Sequence, residues 1–205
     1  MASVTPLHRA PVTEPPALHA RAMDNLAFIR DTMEAAGSFT AVSGWAMVAV
    51  GIIATVAAMI ASAQPSVLQS LYVWIAAAVL APAVMLWGIV RKARKARMPL
   101  LSGPGRKFVL SFSPPILVGA LLTIVLFRAG LVGVIPGMWL LMYGTAVVAG
   151  GAFSVKIVPV MGICFMLAGT IAVFAPSAWN DWIMASAFGG LHIAFGIPIA
   201  RRHGG

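Results

Sequence analysis

Six times between residues 40 and 200 the chain runs for about twenty residues almost without charge, over roughly 40–63, 69–90, 109–128, 132–152, 155–175 and 181–200. No other feature restricts the fold as strongly. A bilayer core of about 30 Å is crossed by about 20 helical residues. In lipid every backbone N–H and C=O needs a partner within the protein, and a helix supplies it without help. Composition argues against a soluble alternative: 60% of the residues are hydrophobic and 9% charged, against about 25% charged in soluble domains. The fold class expected is therefore all-α, a polytopic membrane protein with six transmembrane helices arranged as three consecutive hairpins.

Charge sets the expected orientation. An even number of spans puts both termini on one side, with Arg9, Arg21, Arg30, Arg91, Lys92, Arg94, Lys95, Arg97, Arg106, Lys107, Lys156, Arg201 and Arg202. Of the fourteen basic residues only Arg128 falls on the other side. Short cytoplasmic loops hold the excess of lysine and arginine, so both termini are expected in the cytoplasm. Tyr72, Trp74, Trp139, Trp179 and Trp182 fall at the outer ends of spans, with Trp45 and Trp87 near inner ends. Amphipathic rings favour those levels. The first 38 residues show no short apolar run before a small-residue cleavage site, so no signal peptide is expected. Cys164 is the only cysteine, which excludes an internal disulfide and paired-cysteine metal motifs.

The cytoplasmic face carries most of the charge. Arg91, Lys92, Arg94, Lys95, Arg97, Arg106 and Lys107 flank one loop. They are expected to meet anionic headgroups, at about 1 kcal/mol for each residue near the surface. The stretch "SGPGRK" lacks the spacing of a phosphate loop and has no preceding strand. Nucleic acid is not expected as a partner, because the membrane side accounts for the charge. Residues 1–16 hold four prolines and read as a disordered tail. Residues 17–38 read as an amphipathic helix, with Leu18, Ala22, Leu26, Ile29 and Met33 at helical spacing. Such a helix lies on the inner membrane surface or caps the bundle, and offers a cytoplasmic protein partner a docking face. Residues 39–205 form the membrane domain.

The spans share spacings. Gly51 precedes Pro65 by fourteen residues, and Gly162 precedes Pro176 by the same fourteen. Trp74, Trp139 and Trp182 follow the outer turns, Gly88 and Gly196 lie fourteen residues beyond two of them, and Arg91, Lys156 and Arg201 close the returning helices. Two readings stay open: an internal duplication of hairpins, or residues placed where any membrane hairpin needs them. The Gly…Pro…Gly pattern resembles the HdeD-type inner-membrane proteins over about four of the six helices. That resemblance implies a bacterial inner membrane and a link to acid stress, and it carries over no catalytic residue.

Two places within the spans invite chemistry. Ser113 followed by Pro114 and Pro115 reads as a helix break: a serine N-cap with proline at the first helical position. The third helix would then start at 114, with "KFVLSF" lying at the interface; the sharper alternative is a broken helix that makes a ligand site. His192 lies ten residues after Trp182 and nine before Arg201, about 14–15 Å from either interface at 1.5 Å per residue. Tyr143 and Cys164 sit at similar depth in the fourth and fifth spans, so His192, Tyr143 and Cys164 form a candidate intramembrane polar layer. Ala185, Gly189, His192 and Gly196 share one face of a regular helix, and small residues there permit close helix packing. The imidazole therefore points into protein and needs a hydrogen-bond partner. Tyr143 or a carbonyl freed near Pro82 would serve. A histidine at this depth is a packing group, one that handles a proton or ligand, or a haem or metal ligand, the last needing a second intramembrane histidine from another subunit.

Functional motifs are missing. The sequence has no H-E-x-x-H, no G-x-S-x-G and no acidic metal cluster. No catalytic residue, metal or cofactor is expected. The leading expectation is an inner-membrane protein with an accessory, stress-linked or partner-anchoring role. The alternative is a small-molecule transporter or channel, acting alone or as a homo-oligomer.

Overall fold

The computed structural model describes residues 21–26, 28–29, 33, 42–95 and 103–203. The chain divides into two compact units, Met1–Gly37 and Ser38–Gly205. In the first unit the described residues are helical, and Ala22, Leu26, Ile29 and Met33 are all exposed. Leu18 and the expected disordered tail lie outside the described residues.

The second unit holds six helices long and apolar enough to cross a membrane, so this is a multi-pass membrane protein. We label them α1 (Gly44–Ser62), α2 (Val67–Lys95), α3 (Gly103–Arg128), α4 (Ile135–Gly151), α5 (Ile157–Phe174) and α6. Helix α6 is one column in three parts: α-helical over Asn180–Met184, a π-helical stretch over Ala185–Leu191, and α-helical again over His192–His203. Local chemistry fixes several ends. The Ser43 hydroxyl accepts the Ala46 N–H at 3.3 Å and caps α1. Gly130, at φ 75°, closes α3: the Leu131 N–H reaches Leu126 O at 2.9 Å and the Gly130 N–H reaches Phe127 O at 3.1 Å.

Glycines spaced by seven residues select the tight helix pairs. They recur as Gly44 and Gly51 on α1, Gly137, Gly144 and Gly151 on α4, Gly162 and Gly169 on α5, and Gly189 and Gly196 on α6. Seven residues are nearly two turns, so each set keeps to one face. A Cβ at Gly144 would stand 2.7 Å from Gly162 O, and one at Gly162 would stand 2.8 Å from Gly144 O. A Cβ at Gly51 would stand 2.8 Å from Gly189 O. The backbones of α4 and α5, and of α1 and α6, are in contact because no side chain intervenes. Helix α2 packs chiefly on α1 and α3 on α4, while α2 and α3 scarcely touch each other. The six helices thus form an open arc whose gap lies between α2 and α3. The expected hairpin of α5 with α6 is a much looser contact than either glycine pair.

The expected helix break at Ser113, Pro114 and Pro115 is not present. Helix α3 is continuous from Gly103 to Arg128 with both prolines inside it. The Ser113 hydroxyl does not cap; it donates to Val109 O at 2.7 Å, one turn back. The prolines remove two N–H donors, but ending the helix would strand many more backbone groups in an apolar segment. Continuing it is the cheaper solution.

Candidate functional site

Between the two arms of the arc lies a cavity of about 760 Å³. Its walls come from all six helices, and the residues of α2 and α3 that bound it face each other across the gap. Among the described residues no charged side chain lines it. Small-molecule sites commonly span about 300–1,000 Å³ with apolar walls and a few placed polar groups. Here the polar groups are few and specific.

The central pair is Tyr143 on α4 and His192 on α6. The tyrosine hydroxyl lies 2.7 Å from His192 Nε2, and His192 Nδ1 lies 2.8 Å from Phe188 O. A carbonyl only accepts, so Nδ1 carries the proton. A neutral ring with its proton there has a bare Nε2, and the tyrosine hydroxyl must donate to it. The π-helical stretch makes this possible. In a regular helix Phe188 O would take the His192 backbone N–H, whereas here that N–H bonds Gly189 O and the Phe188 carbonyl accepts from the imidazole. Such irregular turns recur at functional sites.

Aromatic rings enclose the pair. Tyr143 lies 4.8 Å from Phe165 and 5.1 Å from Phe188, centroid to centroid, and His192 lies 5.3 Å from Phe165. Phe112 of α3 meets the tyrosine edge-on at 6.1 Å. His192 is 1% exposed, which places the hydrogen-bonded pair at the back of the cavity and away from lipid.

Cys164 does not join Tyr143 and His192. It is a half-buried free thiol off the cavity wall, one residue away from the Phe165 that packs on both. The face expected to unite Ala185, Gly189, His192 and Gly196 is also divided. Gly189 and Gly196 abut α1, whereas His192 turns toward α4 and α5. The π-helical stretch changes the phase that a regular helix would keep.

The tryptophans give a further correction. Trp74 is 6% exposed, and its indole N–H donates to Asp181 Oδ1 at 2.9 Å, tying α2 to α6. Trp139 donates to Thr123 Oγ1 at 2.8 Å, and Thr123 donates to Gly119 O at 2.7 Å. Two rings expected at the headgroup level are thus turned inward to bind helices together. Thr123 and Trp139 lie sixteen residues apart on two helices, a separation that no local pattern flags.

Of the expected headgroup contacts, Lys92 is already engaged: its ammonium donates to Val42 O at 2.9 Å. The Arg91 guanidinium lies 5.3 Å from the Trp87 ring, and the Lys107 ammonium 5.9 Å from the Phe153 ring. Arg94, Lys95 and Arg106 are exposed, and Arg97 lies outside the described residues. Among the described residues no group of three or more His, Cys, Asp or Glu could hold a metal ion.

Compared with known proteins, the chain matches no family model, no curated protein and no solved structure. The resemblance to HdeD-type proteins therefore stands on the glycine, proline and tryptophan spacings alone.

Proposed function

We propose that this chain takes a small hydrophobic molecule out of the bilayer and holds or carries it inside the six-helix unit, with no chemical step, metal or cofactor. This is the small-molecule alternative from the sequence. One observation favours it over the accessory reading: an uncharged cavity of about 760 Å³ between two helices that do not pack on each other. An occupant could enter sideways from lipid without crossing a polar surface. The distribution of basic residues supports a cytoplasmic location for both termini in a bacterial inner membrane. Exposed Arg94, Lys95 and Arg106 are then the groups available to anionic headgroups.

The test is native mass spectrometry of the protein extracted with its own lipids. A bound small-molecule mass is expected, and it should vanish in Ala78→Trp, which places a bulky ring on the α2 side of the cavity. Wild-type protein free of any small molecule would defeat the proposal.

A second reading rests on the first unit, where Met23, Leu26, Phe28, Ile29 and Met33 are each more than half exposed. An apolar set of that kind suits a membrane surface or a protein partner. Loss of a co-purifying protein on deleting residues 1–38 would support the partner-anchoring role.

A further inference from the structure

We propose that the cavity selects its occupant by a hydrogen-bond donor: the ligand is a lipid alcohol whose hydroxyl donates to the Tyr143 oxygen. The inference rests on the cavity reading above and adds the chemistry of the ligand's polar end. Five side chains on the wall carry a polar hydrogen: Trp74, Thr123, Trp139, Tyr143 and His192. Each is already donated within the protein, to Asp181, Gly119 O, Thr123, His192 Nε2 and Phe188 O respectively.

What remains on the wall is lone pairs. Among the described residues nothing donates to Tyr143, so its oxygen can receive a ligand's hydrogen. Pro82 has no N–H, so the carbonyl of Ala78, a residue of the wall, lacks its donor one turn on. The wall therefore offers acceptors and withholds donors. A carboxylate, a phosphate or an isolated ketone would enter with its oxygen unpaired, which is costly in an apolar site. Charged headgroups are disfavoured further because no charged side chain among the described residues lines the wall. A hydroxyl at one end of a hydrocarbon skeleton satisfies both conditions: it reaches the Tyr143 oxygen, and the apolar remainder lies along the walls toward the gap between α2 and α3.

The experiment uses the full chain in phosphatidylcholine nanodiscs and a matched ligand series: geranylgeraniol, its methyl ether and the parent hydrocarbon. Bound ligand is measured by native mass spectrometry and referenced to protein-free nanodiscs. The alcohol should bind about tenfold more tightly than the ether, the weight of one buried hydrogen bond. In His192→Leu the tyrosine hydrogen is released and can serve an ether oxygen, so the alcohol-to-ether ratio should fall toward one. The wild-type series decides the matter even where that variant fails to fold. Equal or reversed binding of alcohol and ether by wild type overturns donor selection and leaves the cavity reading standing. Failure of all three ligands to bind overturns both.

Discussion

The glycine pairs α1–α6 and α4–α5 differ from the flanking helices α2 and α3 in how closely their backbones approach and in how much of each helix is buried. In the pairs, backbone meets backbone: a Cβ at Gly144 or Gly51 would stand within 2.8 Å of a carbonyl on the partner helix. The flanking helices carry no glycine heptad and expose large residues such as Val79, Leu86, Leu117 and Leu121. Each packs on one helix of the frame, α2 on α1 with Gly88 against Ala46 and α3 on α4, and is tied further by polar links, Trp74 to Asp181 and Lys92 to Val42 O for α2 and Trp139 to Thr123 for α3. Van der Waals packing drives association in lipid, where apolar surfaces gain nothing by leaving solvent. Shape complementarity therefore decides which helices form the frame and which form the wall of the cavity.

The sharpest way to break this contrast is Gly144→Leu. Its side chain would meet Gly162 O and Met166, and overpacking of that kind should cost about 3 kcal/mol, measured by thermal unfolding in detergent. The control is Ala120→Leu on α3, an exposed position bordering the cavity, which should shift stability by less than about 0.5 kcal/mol. Equal losses would remove the distinction between frame and wall.

His192→Leu comes next. It deletes two hydrogen bonds and leaves the buried Tyr143 hydroxyl without its acceptor, so the same melts should show a loss of about 1–2 kcal/mol. Trp74→Phe should cost about 1 kcal/mol, with hydrogen exchange rising at the Trp74 end of α2 while α4 and α5 stay protected. The smallest effect is expected for Pro82→Ala. Restoring the N–H to Ala78 should slow exchange in α2 and raise stability by less than about 1 kcal/mol, without altering the frame.

Much of the fold was legible because its signals are local. Each of the six apolar runs appears as a helix, with boundaries shifted by a few residues, the largest shift being the start of α3 at Gly103, where the apolar run begins at 109 and the proline reading put the helix proper at 114. That shift marks where local reasoning failed: proline is a strong local breaker, but lipid penalises unpaired backbone more heavily. The site was partly legible. Counting residues from the interfaces put Tyr143 and His192 at one depth, and the structure joins them at 2.7 Å. The same count gave Cys164 no means of being distinguished from them. Azimuth around a helix is lost when a π-helical stretch intervenes, and Gly189–Gly190 was the only nearby hint of one.

The sequence by itself determined the solvent of this protein and the number of its spans. Hydropathy is a sum over neighbouring residues, and a bilayer reads that sum directly. It also contained the glycine heptads, but not which heptad would meet which. Tertiary structure decided that α1 would pair with α6 and α4 with α5, that two tryptophans would turn inward, and that α2 and α3 would stand apart. Those outcomes depend on the fit of surfaces distant in sequence, and on which donors and acceptors that fit brings within reach. In lipid, where every helix is apolar, that fit is what discriminates one neighbour from another.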